Sequence, residues 1–150
     1  MVTNEYPNWL VPLDAAKKLK DLGFNEPCIF SYSEGFGITA CLRIGASDEP
    51  LISDFIIGGN TPNSPLTDLP TWGQVLKWFR DKKIYGNVNQ EWEYGNYNSP
   101  RKLTYFYVIN DCRKVDIKKT EPALCGGFDS YEEAREYLLN RLIEIYGKSI

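Results

Sequence analysis

The sequence predicts an α+β fold in which about three helices pack on a mainly antiparallel sheet. Three observations carry that expectation: helical segments with their own start and stop signals, period-two runs around a glycine turn, and one further run that is apolar on both faces. No internal repeat or low-complexity segment interrupts the pattern. A chain of 150 residues with 43% apolar and 25% charged content is expected to fold as one globular domain over residues 1–150.

In the first helical segment Pro12 suits an early helical position, Leu13, Ala16 and Leu19 fall at helical spacing, and Gly23 supplies a stop after Leu22. In the second, Thr71 followed by Gln74 forms a capping-box pattern, and Trp72, Val75, Leu76 and Phe79 make an apolar stripe that predicts a helix to about Lys82. The third opens on another such box, Ser130 with Glu133. It carries Ala134, Tyr137, Leu138, Leu142 and Ile145 on one side before Gly147.

Between the helices the period changes to two. Cys28, Phe30 and Tyr32 alternate with Ile29, Ser31 and Ser33, then Ile38 to Ile44 alternates again, with Glu34 and Gly35 between them as a hairpin turn. Leu103, Tyr105, Tyr107 and Ile109 share one face of a later strand, and Thr104, Phe106 and Val108 share the other. A strand with no plainly solvated face is predicted to be central or covered on both sides. Residues 58–65, rich in Gly, Asn and Pro, read as a long loop.

Several function classes are excluded or disfavoured by composition. The chain has no histidine, which removes Ser-His-Asp and Cys-His catalysis and histidine metal ligands, so an enzyme is disfavoured. Cys28, Cys41, Cys112 and Cys125 contain no closely spaced pair of the zinc-site kind and read as reduced thiols. Neither a metal nor a cofactor is expected. A net charge of −3 argues against general nucleic-acid binding, although residues 101–119 hold six cations against two carboxylates. The N-terminus has neither a basic region nor an apolar run, and no stretch is long enough to cross a bilayer, so the expectation is a cytoplasmic protein without a membrane partner.

Two motifs have plainer structural readings. Gly35-Phe36-Gly37-Ile38-Thr39-Ala40 matches a dinucleotide-binding glycine pattern, but strand alternation follows where that motif needs a helix N-terminus. Glu91 and Glu93 would share a strand face as a carboxylate pair, or simply form a solvated face opposite Trp92 and Tyr94.

Aromatic residues are abundant at 14% of the chain. Trp92, Tyr94, Tyr105 and Tyr107 bracket Arg101, and this group, completed by Arg43 or Arg80, is the candidate ligand-binding set. Flat rings beside guanidinium groups suit a small, planar, anionic, nucleotide-like ligand. They suit a protein interface equally well, and core packing is a third reading. Two functional expectations follow: a non-enzymatic binder of such a ligand, or an interaction module that binds and inhibits a host protein. A sheet edge or the aromatic face also allows a homo-oligomer.

The blocks 11–28 (VPLDAAKKLKDLGFNEPC), 70–80 (PTWGQVLKWFR) and the Tyr131-Glu132-Glu133-Ala134 helix start resemble small proteins of Bacteroidota and their phages. The resemblance implies context only, and brings neither an activity nor site residues. In a phage setting, the ligand-binding expectation becomes a counter-defence protein that sequesters a nucleotide-type immune signal.

Overall fold

In a computed structural model the chain is described over residues 6–40, 65–93, 101–113 and 123–149. The element order is α1 (Leu13–Asp21), β1 (Phe30–Ser33), β2 (Gly37–Ala40), β3 (Thr67–Leu69), α2 (Trp72–Asp81), β4 (Ile84–Glu93), β5 (Lys102–Asp111), β6 (Ala123–Phe128) and α3 (Tyr131–Gly147). Among the described residues, three helices and two antiparallel three-stranded sheets make the fold α+β. The chain divides into two compact units, Met1–Trp78 and Phe79–Ile150, each with its own sheet. No helix among the described residues is long and apolar enough to cross a membrane.

In the first unit the strand order is β2-β1-β3. β1 and β2 form the hairpin expected around Gly35, with Ser33 opposite Gly37 and a positive φ of 69° at Gly37. That conformation favours glycine, so the glycine pattern here is a turn between strands. The predicted continuation of β2 through residues 41–44 lies outside the described residues.

Helix α1 ends as its sequence dictates. The Phe24 amide donates to the Leu19 carbonyl at 2.9 Å and the Gly23 amide to Lys20 at 3.0 Å, with Gly23 at φ 90°. This is the paired six-to-one and five-to-two closure that a C-terminal glycine permits. It turns Phe24 inward, where it is 1% exposed and meets Trp78 edge-on at 5.6 Å. The start of α2 shows the expected reciprocal box: Thr71 N–H donates to Gln74 Oε1 at 2.9 Å, and Gln74 N–H donates to Thr71 Oγ1 at 3.3 Å.

In the second unit the order is β4-β5-β6, so the strand that is apolar on both faces is the central one. β4 and β5 pair without a break from Ile84↔Asp111 to Glu93↔Lys102. β6 is less regular, because Gly126 and Gly127 together stand between the pairs Tyr107↔Cys125 and Tyr105↔Phe128, where β5 has only Phe106. The extra residue is a bulge, and Gly127 takes a φ of 86°. Without it, Cys125 and Phe128 would face opposite ways. With it, both join Tyr105 and Tyr107 on the side of the sheet that α3 covers.

Helix α3 begins where Ser130 Oγ accepts from the Glu133 amide at 3.1 Å. It buries Ala134, Leu138, Leu139, Leu142 and Ile143. Two members of the predicted stripe depart from this set: Tyr137 is 56% exposed, and Ile145 is only half-buried. The sheet draws the helix onto a wider face, which takes in Leu139 and Ile143. The close approach is made at Gly86 on β4, where an added Cβ would lie 2.9 Å from Leu138 Cδ1 and 3.2 Å from Leu142 Cδ1.

This contact predicts a coupled pair of substitutions. Leu138→Ala is expected to cost about 2–5 kcal/mol, as buried Leu-to-Ala changes do. Gly86→Ala should also destabilise the protein through overpacking, but less so in the Leu138→Ala background, where the colliding methyl is gone. Urea denaturation of the four-member cycle measures this, and strictly additive losses would contradict the contact.

Candidate functional site

The length of α3 relative to the sheet leaves one end of β4 and β5 uncovered. Seventeen helical residues span roughly 25 Å, whereas ten-residue strands span roughly 34 Å. The first residue of α3, Tyr131, already stands at Tyr105, with ring centroids 6.4 Å apart and nearly perpendicular. Beyond Tyr105 the pairs Trp92↔Leu103 and Glu93↔Lys102 continue past the helix start. Trp92 is consequently 55% exposed and Tyr131 is 43% exposed.

Trp92 and Tyr105 are diagonal neighbours on one face of the pair, within the reach of large side chains. The Arg135 guanidinium lies over the Tyr131 ring, 5.5 Å from its centroid, as expected for residues one helical turn apart. Arg101 is exposed immediately before β5. The structure thus gathers Trp92, Tyr105 and Arg101 at one end of the sheet and adds Tyr131 and Arg135 from α3.

The remaining candidates have other positions. Tyr107 is 8% exposed and stacks on Phe128 at 6.0 Å, while Phe128 packs against Tyr137 at 4.9 Å. The Tyr107 ring therefore belongs to the core beneath α3. Burial raises the affinity of its phenol for the proton, and a hydrogen bond with Cys125 acts in the same direction. Arg80 is exposed in the last turn of α2, on a different element from the strand cluster. Tyr94 and Arg43 lie outside the described residues.

Two shallow grooves border the uncovered end. One, of about 580 Å³, is lined by Val88, Asn89, Gln90, Tyr105, Phe106 and Tyr131. The other, of about 600 Å³, lies across the bulge on the face of the sheet away from α3 and includes Glu91, Thr104, Phe106, Leu124 and Gly126. Glu91 and Glu93 do share a face and are exposed, and the Glu91 backbone carbonyl accepts from Thr104 Oγ1 at 3.3 Å. Lys102 pairs with Asp129 at 2.6 Å, an exposed contact that water screens. Among the described residues no group of three or more Cys, Asp or Glu could hold a metal ion, and Cys28, Cys112 and Cys125 are not joined in disulfides. The first unit has a groove of its own, about 610 Å³, which includes Tyr32, Ser33, Phe36 and Leu66 and none of the sequence-predicted site residues.

Tyr131 and Arg135 were absent from the sequence-derived set because each reads locally as part of a helix start. Their four-residue spacing was the available signal, but only the strand register shows that Tyr131 meets Tyr105. Comparison with known proteins finds no matching family, no matching curated protein and no matching solved structure.

The opposite end of α3 carries a strongly perturbed carboxylate. Glu144 accepts from Lys148 at 2.7 Å and from Arg141 at 2.6 Å, and these hydrogen bonds hold its pKa down to about 2. A depressed carboxylate contributes to folding above its unfolded-state pKa and loses that contribution as pH falls through the folded value. Carbon-detected NMR titration should show Glu144 still ionised at pH 3, and a midpoint in the ordinary glutamate range would contradict these pairings.

Proposed function

We propose that the chain is a non-enzymatic binding protein whose contact surface is the uncovered end of the β4-β5-β6 sheet. The observation that supports this reading is the 55% exposure of Trp92 on a regularly paired strand, beside Tyr105 and Tyr131. A large ring left in water at that position gives no folding benefit, whereas burial against a partner would make it a strong anchor.

The favoured occupant is planar and anionic. Trp92, Tyr105 and Tyr131 offer ring faces and edges, and Arg101 offers a guanidinium fork for a phosphate, with the positive charge of Arg135 beside Tyr131. No catalytic base is needed for this role. In the phage setting that the sequence resemblance implies, such a protein sequesters a nucleotide-type immune signal in a host cytoplasm. A protein partner is the second reading, favoured by the open and shallow form of both grooves, since small-molecule sites bury most of their ligand.

Isothermal titration with a panel of cyclic and ADP-ribose-type nucleotides tests the first reading. Binding should weaken by about 1–3 kcal/mol in Trp92→Ala or Tyr131→Ala, the usual cost of losing one base-stacking ring. In Arg101→Ala it should weaken in a salt-dependent manner. If no nucleotide releases heat while a host protein is retained by the wild type and lost by both aromatic variants, the interface reading replaces it.

A further inference from the structure

The two edges of the β4-β5-β6 sheet differ in a way that points to a second copy of this chain. β6 is six residues long and broken by its bulge, two features that discourage edge pairing. β4 has ten residues in unbroken register, contains no proline or lysine, and among the described residues pairs only with β5. A long, regular edge without those protective features is a template for another strand.

Charge along β4 selects the orientation. Exposed Lys83 immediately precedes the strand, and Glu91 and Glu93 lie at its far end. Two β4 strands in parallel would set carboxylates beside carboxylates and ammonium beside ammonium. An antiparallel pair sets each acidic end against the partner's basic end. A two-fold axis perpendicular to the sheet gives that orientation and also places both α3 helices on the same face.

We propose that the chain forms a homodimer by antiparallel pairing of β4 with the partner's β4, giving one continuous six-stranded sheet. In the register that best matches charge, Val88 meets the partner's Val88 at the axis. Asn89 then stands opposite the partner's Asn87, and Glu93 comes to the partner's Lys83, the turn residue with a φ of 65° that leads into the strand. Gln90 falls beside the partner's Gly86, so no bulky pair is forced together at that step. The aromatic surface of Tyr105, Tyr131 and Arg135 stays outside the contact, and only Trp92 is common to both, beside the partner's Ile84. The two surfaces thus share Trp92, and the dimer is tested through Lys83 and Glu93, which the ligand reading does not use.

Sedimentation equilibrium at low salt tests it. The wild type should be a dimer, and Lys83→Glu or Glu93→Lys alone should raise the dissociation constant about tenfold or more by juxtaposing like charges. The double variant should recover toward the wild-type value. A wild type that remains monomeric at every concentration, or a double variant as weak as the worse single one, would overturn the proposal. Because Glu93→Lys also faces Lys102 within its own sheet, amide exchange in the wild type provides a second readout. Protection over 84–93 that rises with protein concentration supports the pairing, and concentration-independent exchange rejects it.

Discussion

The second unit is organised around the close approach of α3 to β4 at Gly86. The absence of a side chain lets Leu138 and Leu142 come down onto the strand, since an added Cβ would fall 2.9 Å from Leu138 Cδ1 and push that methyl aside. That seat fixes where the helix lies along the sheet. The helix is shorter than the strands, so fixing one end leaves the other end of the sheet bare. Trp92, Tyr131 and Arg101 are therefore exposed, and Tyr105 is left half-buried, through the same packing that buries Tyr107 and Phe128. Fold and candidate site are two results of one steric constraint.

The helices were the most legible part of the sequence because their signals are local. Thr71 with Gln74, Ser130 with Glu133, and Gly23 after Leu22 each act within one turn, and each makes the hydrogen bonds its residues imply. The central place of β5 was also readable, since apolar residues on both faces of a strand leave few alternatives. β6 was not read as a strand, and its glycines explain why. Gly126 and Gly127 break the alternation that marks a strand, yet they create the bulge that turns Cys125 and Phe128 to the same side.

The candidate site was partly legible. Sequence proximity drew attention to Trp92, Arg101 and Tyr105, and the antiparallel pairing of β4 with β5 brings that end of the two strands together. It could not separate Tyr105 from Tyr107. The two share a strand face, but Tyr105 lies at the edge of the helix and Tyr107 lies under it. Nor could it find Tyr131 and Arg135, whose approach depends on the seating of α3 rather than on any local pattern. Long-range packing decided which rings became core and which remained available.

The uncovered end offers rings, guanidinium groups and amides, the groups on which the proposed binding role rests. Chemical-shift mapping by two-dimensional NMR, with a ligand or partner retained from cells added to the isotopically labelled chain, tests that account most directly. The largest shifts should fall at Trp92, Arg101, Tyr105, Tyr131 and Arg135. Shifts confined to the first unit, around Tyr32 and Phe36, would contradict it and move the functional surface to the other sheet.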